Sequence, residues 1–377
     1  MRNTLNESEK ALMVLDNLRV GGVQRLALDE AYSLSVNGYE VEILLLEKVH
    51  NLDDMREIDA GFFDKYGILV SNVPGSNWQK IRKISSVLKR ANATKVISHS
   101  AKGIALLRIC SFLTFRSIKI LGYIHQLITL SDNRQRLKRI LFFSLASELR
   151  ASSMQFILEL EKYIQERKSL KLVMRKKITF DRMGVFVERI AFQDSKISKY
   201  RKSEKTSLVF MSRVAIWKGF GKYLSLAREL RGNFDYVTIT SRFHNDVFEV
   251  EKACSEIGVR LIYGTNVAKI DRGDRTIHLY PADYGKEIYF PQNIGLNVLE
   301  SMALGIPSLI SREQLWSWPE LKASKLIWMT DWTVLDVQAI INEIENIPNS
   351  VFLKEAKDLE KVFSIREHVE RIIAFLE

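Results

Sequence analysis

Short, continuously apolar runs alternate with stretches of helical periodicity along most of the chain, and that alternation is the strongest limit on what it can fold into. The opening shows the pattern. Residues 11–15 are apolar, Gly21-Gly22 turns, and residues 23–36 repeat Leu26, Ala27, Ala31 and Leu34 at helical spacing; Asn37-Gly38 then stops the helix and residues 41–46 are apolar again but for Glu42. Strand, glycine turn, helix, stop and strand make a βαβ unit. Further strands are expected at 68–71, 95–98, 118–124 and 154–158, with helices at 78–91 and 135–149 among them. Strands without polar alternation are buried on both faces, as in a parallel sheet covered by helices.

Residues 162–205 are rich in Lys and Arg and weakly periodic, as a connection between domains would be. A second series follows, with strands at 208–211, 236–240, 260–263, 277–279, 308–310 and 326–329 and helices at 218–230, 245–257 and 296–304. A length of 377 residues exceeds what one core usually supports. Two Rossmann-like, doubly wound α/β domains are therefore expected, 1–182 and 183–364. Such folds bind ligands at the carboxyl ends of their strands, so the expected site is a cleft between the domains.

With 46% hydrophobic and 27% charged residues and six prolines, the composition is globular and excludes disordered and collagen-like classes. Cys110 and Cys254 have no metal-type spacing and form no disulfide framework, which points to a reducing, cytoplasmic setting. The first residues lack the apolar core of a signal peptide, and no stretch approaches the roughly 18 apolar residues of a membrane span. The formal charge of +11 calls for an acidic partner: nucleotide phosphate, anionic bilayer or nucleic acid. No nucleic-acid motif accompanies the charge, so nucleic acid is not expected as a partner.

Three segments carry candidate chemistry. Gly22, after the first strand, lets backbone approach a ligand at a helix N-terminus, although any tight turn uses the same pair. In FMSRVAIWKGFGKYL, Arg213 leaves a strand end and Lys218 opens the next helix, so two cations could neutralise a diphosphate. In PADYGKEIYFPQNIGLNVLESMALGIPSLIS, a polar loop with Gln292 and Asn293 runs into Gly295 and a helix whose N-terminus favours phosphate. Glu300, about one and a half turns in, could accept hydrogen bonds from a ribose diol.

These segments resemble the glycogen-synthase-like retaining glycosyltransferases of family four, which have the GT-B fold. LDNLRVGGVQRLALDEAYSLSVNGYEVEIL is similar to the family's opening loop, helix and second strand. LVFMSRVAIWKGF is similar to its Gly-Arg…Lys-Gly segment, with Ser212 where glycine is usual. IGLNVLESMALGIPSLIS is similar to its Gly-Leu…Glu-Ala-Met-Ala-x-Gly-x-Pro signature, with Ser301 for alanine. The resemblance implies that residues 365–377 form a helix crossing back to the first domain.

It further implies that Arg213 and Lys218 contact the donor diphosphate, that Glu300 holds the ribose, that backbone near Ile294, Gly295 and Leu296 completes the donor site with Asn293, and that Gly22 approaches the distal phosphate. The family's first glutamate falls on Gln292, which keeps hydrogen bonding but not charge, so altered donor choice is expected; Glu287 nearby is a second carboxylate. His125, in LGYIHQLI at a strand end, resembles the family's first-domain histidine near the reacting sugar; His99, in KVISHSAKG, also follows a strand.

The implied reaction is sugar transfer with retention from a nucleotide-sugar, UDP-sugar before GDP-sugar, to a lipid-linked or polysaccharide acceptor in cell-surface glycan synthesis. No cofactor and no metal are expected, the nucleotide-sugar being a co-substrate. Basic stretches with aromatics, such as RQRLKRILFF, suit an anionic membrane face, so a peripheral place at the inner leaflet is also expected. The rival reading is a catalytically silent binding or chaperone partner, prompted by Gln292.

Overall fold

A computed structural model describes residues 9–18, 21–47, 63–125, 133–167, 170–171, 174, 178–190, 205–212, 214, 218–240, 247–263, 275–282, 294–315 and 318–377. The chain divides into two compact units, Met1–Met183 with Ile365–Glu377, and Gly184–Ser364.

The first unit holds a parallel sheet of strands β1 (Lys10–Leu15), β2 (Glu40–Leu45), β3 (Leu69–Asn72), β4 (Lys95–Ser98), β5 (Lys119–Ile124), β6 (Glu148–Ala151) and β7 (Ile178–Phe180) in the order β3-β2-β1-β4-β5-β6-β7. Its helices are α1 (Gly22–Val36), α2 (Asn77–Arg90), α3 (Ala101–Leu113), α4 (Asn133–Ser144), α5 (Met154–Gln165) and, from the far end of the sequence, α12 (Arg366–Leu376). Every residue of β1 after Lys10 is buried, as expected for a strand covered on both faces. Val14 pairs with Leu44 on one side and Ser98 on the other, and around it Val96, Ile104, Ile120 and Leu149 build the core. Helix α1 stops where Asn37 turns its side-chain amide back to Ser33 O at 2.7 Å and Gly38 takes φ +90°.

The second unit repeats the design with β8 (Ser207–Met211), β9 (Asp235–Thr240), β10 (Arg260–Tyr263), β11 (Thr276–Tyr280), β12 (Ser308–Ser311) and β13 (Ile327–Thr330), ordered β10-β9-β8-β11-β12-β13. Helices α6 (Phe220–Glu229), α7 (Val247–Ile257), α8 (Leu296–Ala303), α9 (Val334–Glu345), α10 (Asn349–Asp358) and α11 (Glu360–Phe363) complete it. The chain enters and leaves this unit side by side: Val185 N donates to Phe363 O at 2.9 Å, and a Cβ on Gly184 would lie 2.4 Å from the Ser364 backbone.

Two expectations fail between 135 and 180. The run MQFIL at 154–158 is the start of helix α5, not a strand, because apolar side chains continue at Leu160, Tyr163 and Ile164, giving helical spacing with Phe156 and Ile157. The strand is instead Glu148–Ala151, whose first two residues fall within the helix expected over 135–149, and β7 adds a strand inside the stretch read as a connection. Polar residues hid both: Arg150 of β6 is buried yet charged.

That arginine belongs to the tie between α12 and the sheet. Helix α12 packs on α1 and β4. His368 Nε2 lies 2.7 Å from Glu30 Oε1 of α1, and its Nδ1 lies 3.0 Å from Asp181 Oδ2, just past β7. Arg371 Nε donates to Asp181 Oδ1 at 2.8 Å, and Tyr123 Oη to Asp181 Oδ2 at 3.0 Å. Burial disfavours the His368 cation, but hydrogen bonds to Asp181 and Glu30 outweigh it and push its pKa up to about 9 from 6.5. Burial likewise opposes ionisation of Glu30, and its contacts with His99 and with the His368 cation overcome it, holding the carboxyl down at about 2 from 4.5. The signs follow from linkage. The His368 contribution is complete below pH 6.5 and disappears as pH rises through about 9; that of Glu30 is complete above pH 4.5 and disappears as pH falls toward about 2. Denaturant midpoints of the wild type should therefore decline between pH 6.5 and 9. His368→Gln should remove that decline and destabilise the protein at pH 6 by about 3 kcal/mol, the cost of leaving buried charge unpartnered.

Candidate active site

In each sheet the chain winds outward from one strand and then returns to its other side, so neighbouring connections diverge and leave a crevice at the carboxyl ends. In the first sheet this switch lies between β1 and β4. Asp16 follows β1, His99 and Ser100 follow β4, and His125 follows β5. A cavity of about 490 Å³ opens there, with Asp16, Gln24, His99, Ser100, Lys102 and His125 in its wall and Leu106, Ile109 and Phe142 on its apolar side. Ser100 does double service: its hydroxyl accepts from Gly103 N at 3.0 Å, capping α3, and donates to Asp16 Oδ1 at 2.6 Å. Burial raises the Asp16 pKa, against the lowering effect of that bond.

Gly22 stands at the open start of α1. Its N-cap, Gly21, offers no side-chain cap, and a Cβ on Gly22 would meet nothing within 4 Å, while the next residues, Val23 and Gln24, line the cavity. His125 Nε2 lies 2.8 Å from His99 Nδ1, and the two rings stack with centroids 5.1 Å apart. Burial pushes the His125 pKa down to about 3, so this imidazole is neutral at physiological pH.

In the second sheet the switch lies between β8 and β11. Lys218 Nζ donates to Tyr280 Oη, the last residue of β11, at 2.8 Å. The backbone forces this meeting. Gly219, the N-cap of α6, has φ +75°, and a Cβ there would lie 1.9 Å from Pro281 O, so only glycine lets the Lys218 turn press onto the residue after Tyr280. A Cβ on Gly295, N-cap of α8, would lie 2.9 Å from Tyr280 Oη, so the start of α8 reaches the same hydroxyl. A helix leaves its first amides without intrahelical acceptors, and with the helix dipole such a start favours an anion.

Helix α8 is held in place by its own side chains. Asn297 Nδ2 donates to Met211 O at the end of β8 and lies 3.4 Å from His278 Nε2. Ser301 Oγ donates to Asn297 O at 2.9 Å and lies 3.1 Å from His278 Nδ1, with Ser308 Oγ at 3.3 Å. His278 is fully buried, and burial pushes its pKa down to about 3, which makes it a neutral bracket between α8 and the sheet. The departure from alanine at Ser301 thus supplies a partner for a buried histidine.

Of the residues singled out from the sequence, Lys218, Gly295 and the flanking Ile294 and Leu296 come together around Tyr280, and His125 stands with the residues after Gly22 at the first unit's cavity. Arg213, Glu287, Gln292 and Asn293 lie outside the described residues. Glu300 is buried, not presented on the surface, and its Oε1 accepts from Arg189 Nη2 at 2.9 Å; Arg189 is fully buried. Sequence reasoning missed Arg189, Tyr280 and Asn297. Only Tyr280 left a signal, as the aromatic polar tip closing the apolar run TIHLY. Removing one member of a buried ion pair strands the other, so Glu300→Ala should lower the unfolding free energy by about 3 kcal/mol in a denaturant titration.

No protein-family model matches the sequence, and no curated protein does. Solved structures match along the whole chain. HepE from Anabaena, in complex with UDP-glucose, is 12% identical with a TM-score of 0.65, the match covering 97% of this chain and 99% of that one. Sucrose-phosphate synthase from Thermosynechococcus elongatus is 10% identical with a TM-score of 0.67, covering 97% of both. The lipopolysaccharide outer core galactosyltransferase WaaB is 12% identical with a TM-score of 0.57, covering 97% of this chain and 98% of that one. At such identities the likeness is one of fold, and it agrees with the two parallel sheets described above: the chain has the two-domain, Rossmann-like GT-B fold of these glycosyltransferases.

Proposed function

We propose that this chain is a retaining glycosyltransferase that takes a sugar from a nucleotide-sugar, a UDP-sugar first and a GDP-sugar next, and places it on a lipid-linked or polysaccharide acceptor in cell-surface glycan synthesis. The observation that carries the reading is the meeting of Lys218, Tyr280 and the N-terminus of α8 at the switch point of the second sheet. A fixed ammonium and helix amides in one crevice suit a diphosphate, and both are set before the reaction begins. They would stabilise charge developing on the leaving group, an effect that can contribute ~3 kcal/mol per well-placed donor. By the resemblance, Arg213 would be the second cation at the diphosphate, Gln292 would touch the transferred sugar, Asn293 with the backbone of Ile294, Gly295 and Leu296 would complete the donor site, and Glu300 would hold the ribose. The leaving phosphate itself takes the acceptor's proton, with no metal or other cofactor. HepE, of the same fold, was crystallised with UDP-glucose, which supports a UDP-sugar as donor.

The acceptor side of the reading rests on the first unit. Its cavity offers His125 and Asp16, and its neighbouring helices present apolar side chains to solvent. Phe112 is 77% and Phe115 95% exposed at the end of α3, and α4 exposes Leu137 and Leu141 among Arg134, Lys138 and Arg139. Large apolar groups among cations suit the anionic inner face of a membrane and a lipid-linked acceptor. Among the described residues no helix is long and apolar enough to cross a membrane.

Two measurements test this. In a thermal-shift panel of UDP, GDP, ADP and their sugar conjugates, one nucleotide family should stabilise the protein by about 2.7 kcal/mol at about a hundred times its dissociation constant. Lys218→Ala should abolish the shift; no shift with any nucleotide would favour the silent binding partner. The protein should also sediment with vesicles containing phosphatidylglycerol but not with neutral ones, and the double variant Phe112→Glu, Phe115→Glu should stay in the supernatant.

A further inference from the structure

The tie that fastens α12 does not end at Glu30. It continues through His99 to His125, in the wall of the cavity. His368 Nδ1 lies 3.0 Å from Asp181 Oδ2, Glu30 Oε1 2.7 Å from His368 Nε2, His99 Nε2 2.8 Å from Glu30 Oε2, and His125 Nε2 2.8 Å from His99 Nδ1. The side chains of Glu30, His99, His368 and Asp181 are essentially inaccessible to water. The contacts at Glu30 Oε2 and His368 Nδ1 are bent from ideal alignment, yet at these distances two lone pairs would repel, so each gap holds a proton.

Proton positions then follow in sequence. Ionised carboxylates only accept, so His368, bracketed by Asp181 and Glu30, carries a proton on both nitrogens. Glu30 Oε2 is also an acceptor, so His99 carries a proton on Nε2. Charge fixes the rest. Asp181 and Glu30 are met by the His368 cation, by Arg371, and by Arg150, which also serves Glu148 at 2.6 Å. Glu148 and Glu367, the further partners of Arg150 and Arg371, are solvent-exposed; out of water, the His368 cation and Arg150 already match Glu30 and Asp181, and a second imidazolium at His99 would be an uncompensated buried charge. His99 Nδ1 is therefore bare and can only accept, and the proton in its contact with His125 must sit on His125 Nε2.

We infer that Glu30 and His368, acting through His99, are positioning residues that fix the tautomer of His125, with its proton on Nε2 and Nδ1 left as a hydrogen-bond acceptor for a hydroxyl-bearing ligand. The neutral state of His125 agrees with this, since burial holds its pKa down at about 3. The hydroxyl class of ligand rests on the glycosyltransferase reading; the tautomer does not.

The test is the two-bond proton–nitrogen NMR spectrum of the full chain labelled with 15N-histidine, with His125 and His99 assigned by His125→Gln and His99→Phe. In the wild type, His125 and His99 should each show a protonated Nε2 and a bare Nδ1, and His368 two protonated nitrogens. In Glu30→Gln the amide can turn its NH2 toward His99 while its oxygen still accepts from His368. The protonated nitrogen of His99, and with it that of His125, should then move from Nε2 to Nδ1. His99→Phe keeps the stacked ring but removes the acceptor, and should release His125 into a mixture of tautomers. The inference is overturned if wild-type His125 is protonated at Nδ1, or if its tautomer is unchanged in both variants while the His278 signals show the protein folded. Should Glu30→Gln fail to fold, the wild-type spectrum and His99→Phe still decide. All spectra are recorded without nucleotide, so they stand apart from the thermal-shift panel that tests the glycosyltransferase reading itself.

Discussion

An ionised carboxylate taken out of water without a partner costs several kcal/mol, and the first unit takes in both Glu30 and Asp181. What makes this tolerable is His368, whose two ring nitrogens meet the two carboxylates at once. The arrangement explains why the last helix belongs to the first unit although the whole second unit separates them in sequence. Apolar packing alone is non-directional and would let α12 slide along α1. A buried hydrogen-bonded cation between two fixed anions allows one register, and it carries His99 and so the wall of the cavity with it.

The two units apply one topological rule with different chemistry. At the switch point of the first sheet stand a neutral histidine, a carboxyl group and a serine that caps a helix. At that of the second stand an ammonium, a phenol and a helix start. The first set has the chemistry to exchange hydrogen bonds with hydroxyls, and the second the chemistry to attract anions.

Strands with uninterrupted apolar runs, such as β1 and β8, were readable because nothing polar broke the pattern, and their helices followed from periodicity and from stops such as Asn37-Gly38. β6 was not, because its sequence ELRA places a charged residue in a buried strand whose justification, Asp181, lies far along the chain. The same distance hid the network: Glu30, His99, Asp181 and His368 share no local motif, and each alone reads as an ordinary polar residue. Among candidate site residues, Lys218 and Gly295 were legible because backbone demands mark them, a left-handed glycine following one and a helix start at the other. Glu300 was legible as a residue but not as a buried one, since Arg189 sits in a stretch with no pattern of its own.

The paired segments at Val185 and Ser364 make the second unit an insertion in the first, with entrance and exit adjacent. During synthesis the inserted unit can finish folding while the first still lacks α12. Until that helix emerges, Glu30 and Asp181 have no His368 to hold between them, and the first sheet must remain open enough to keep both hydrated. Order of assembly is thus opposite to order of sequence, and a premature stop after the inserted unit would leave the first unit with two buried carboxylates and no cation bridging them.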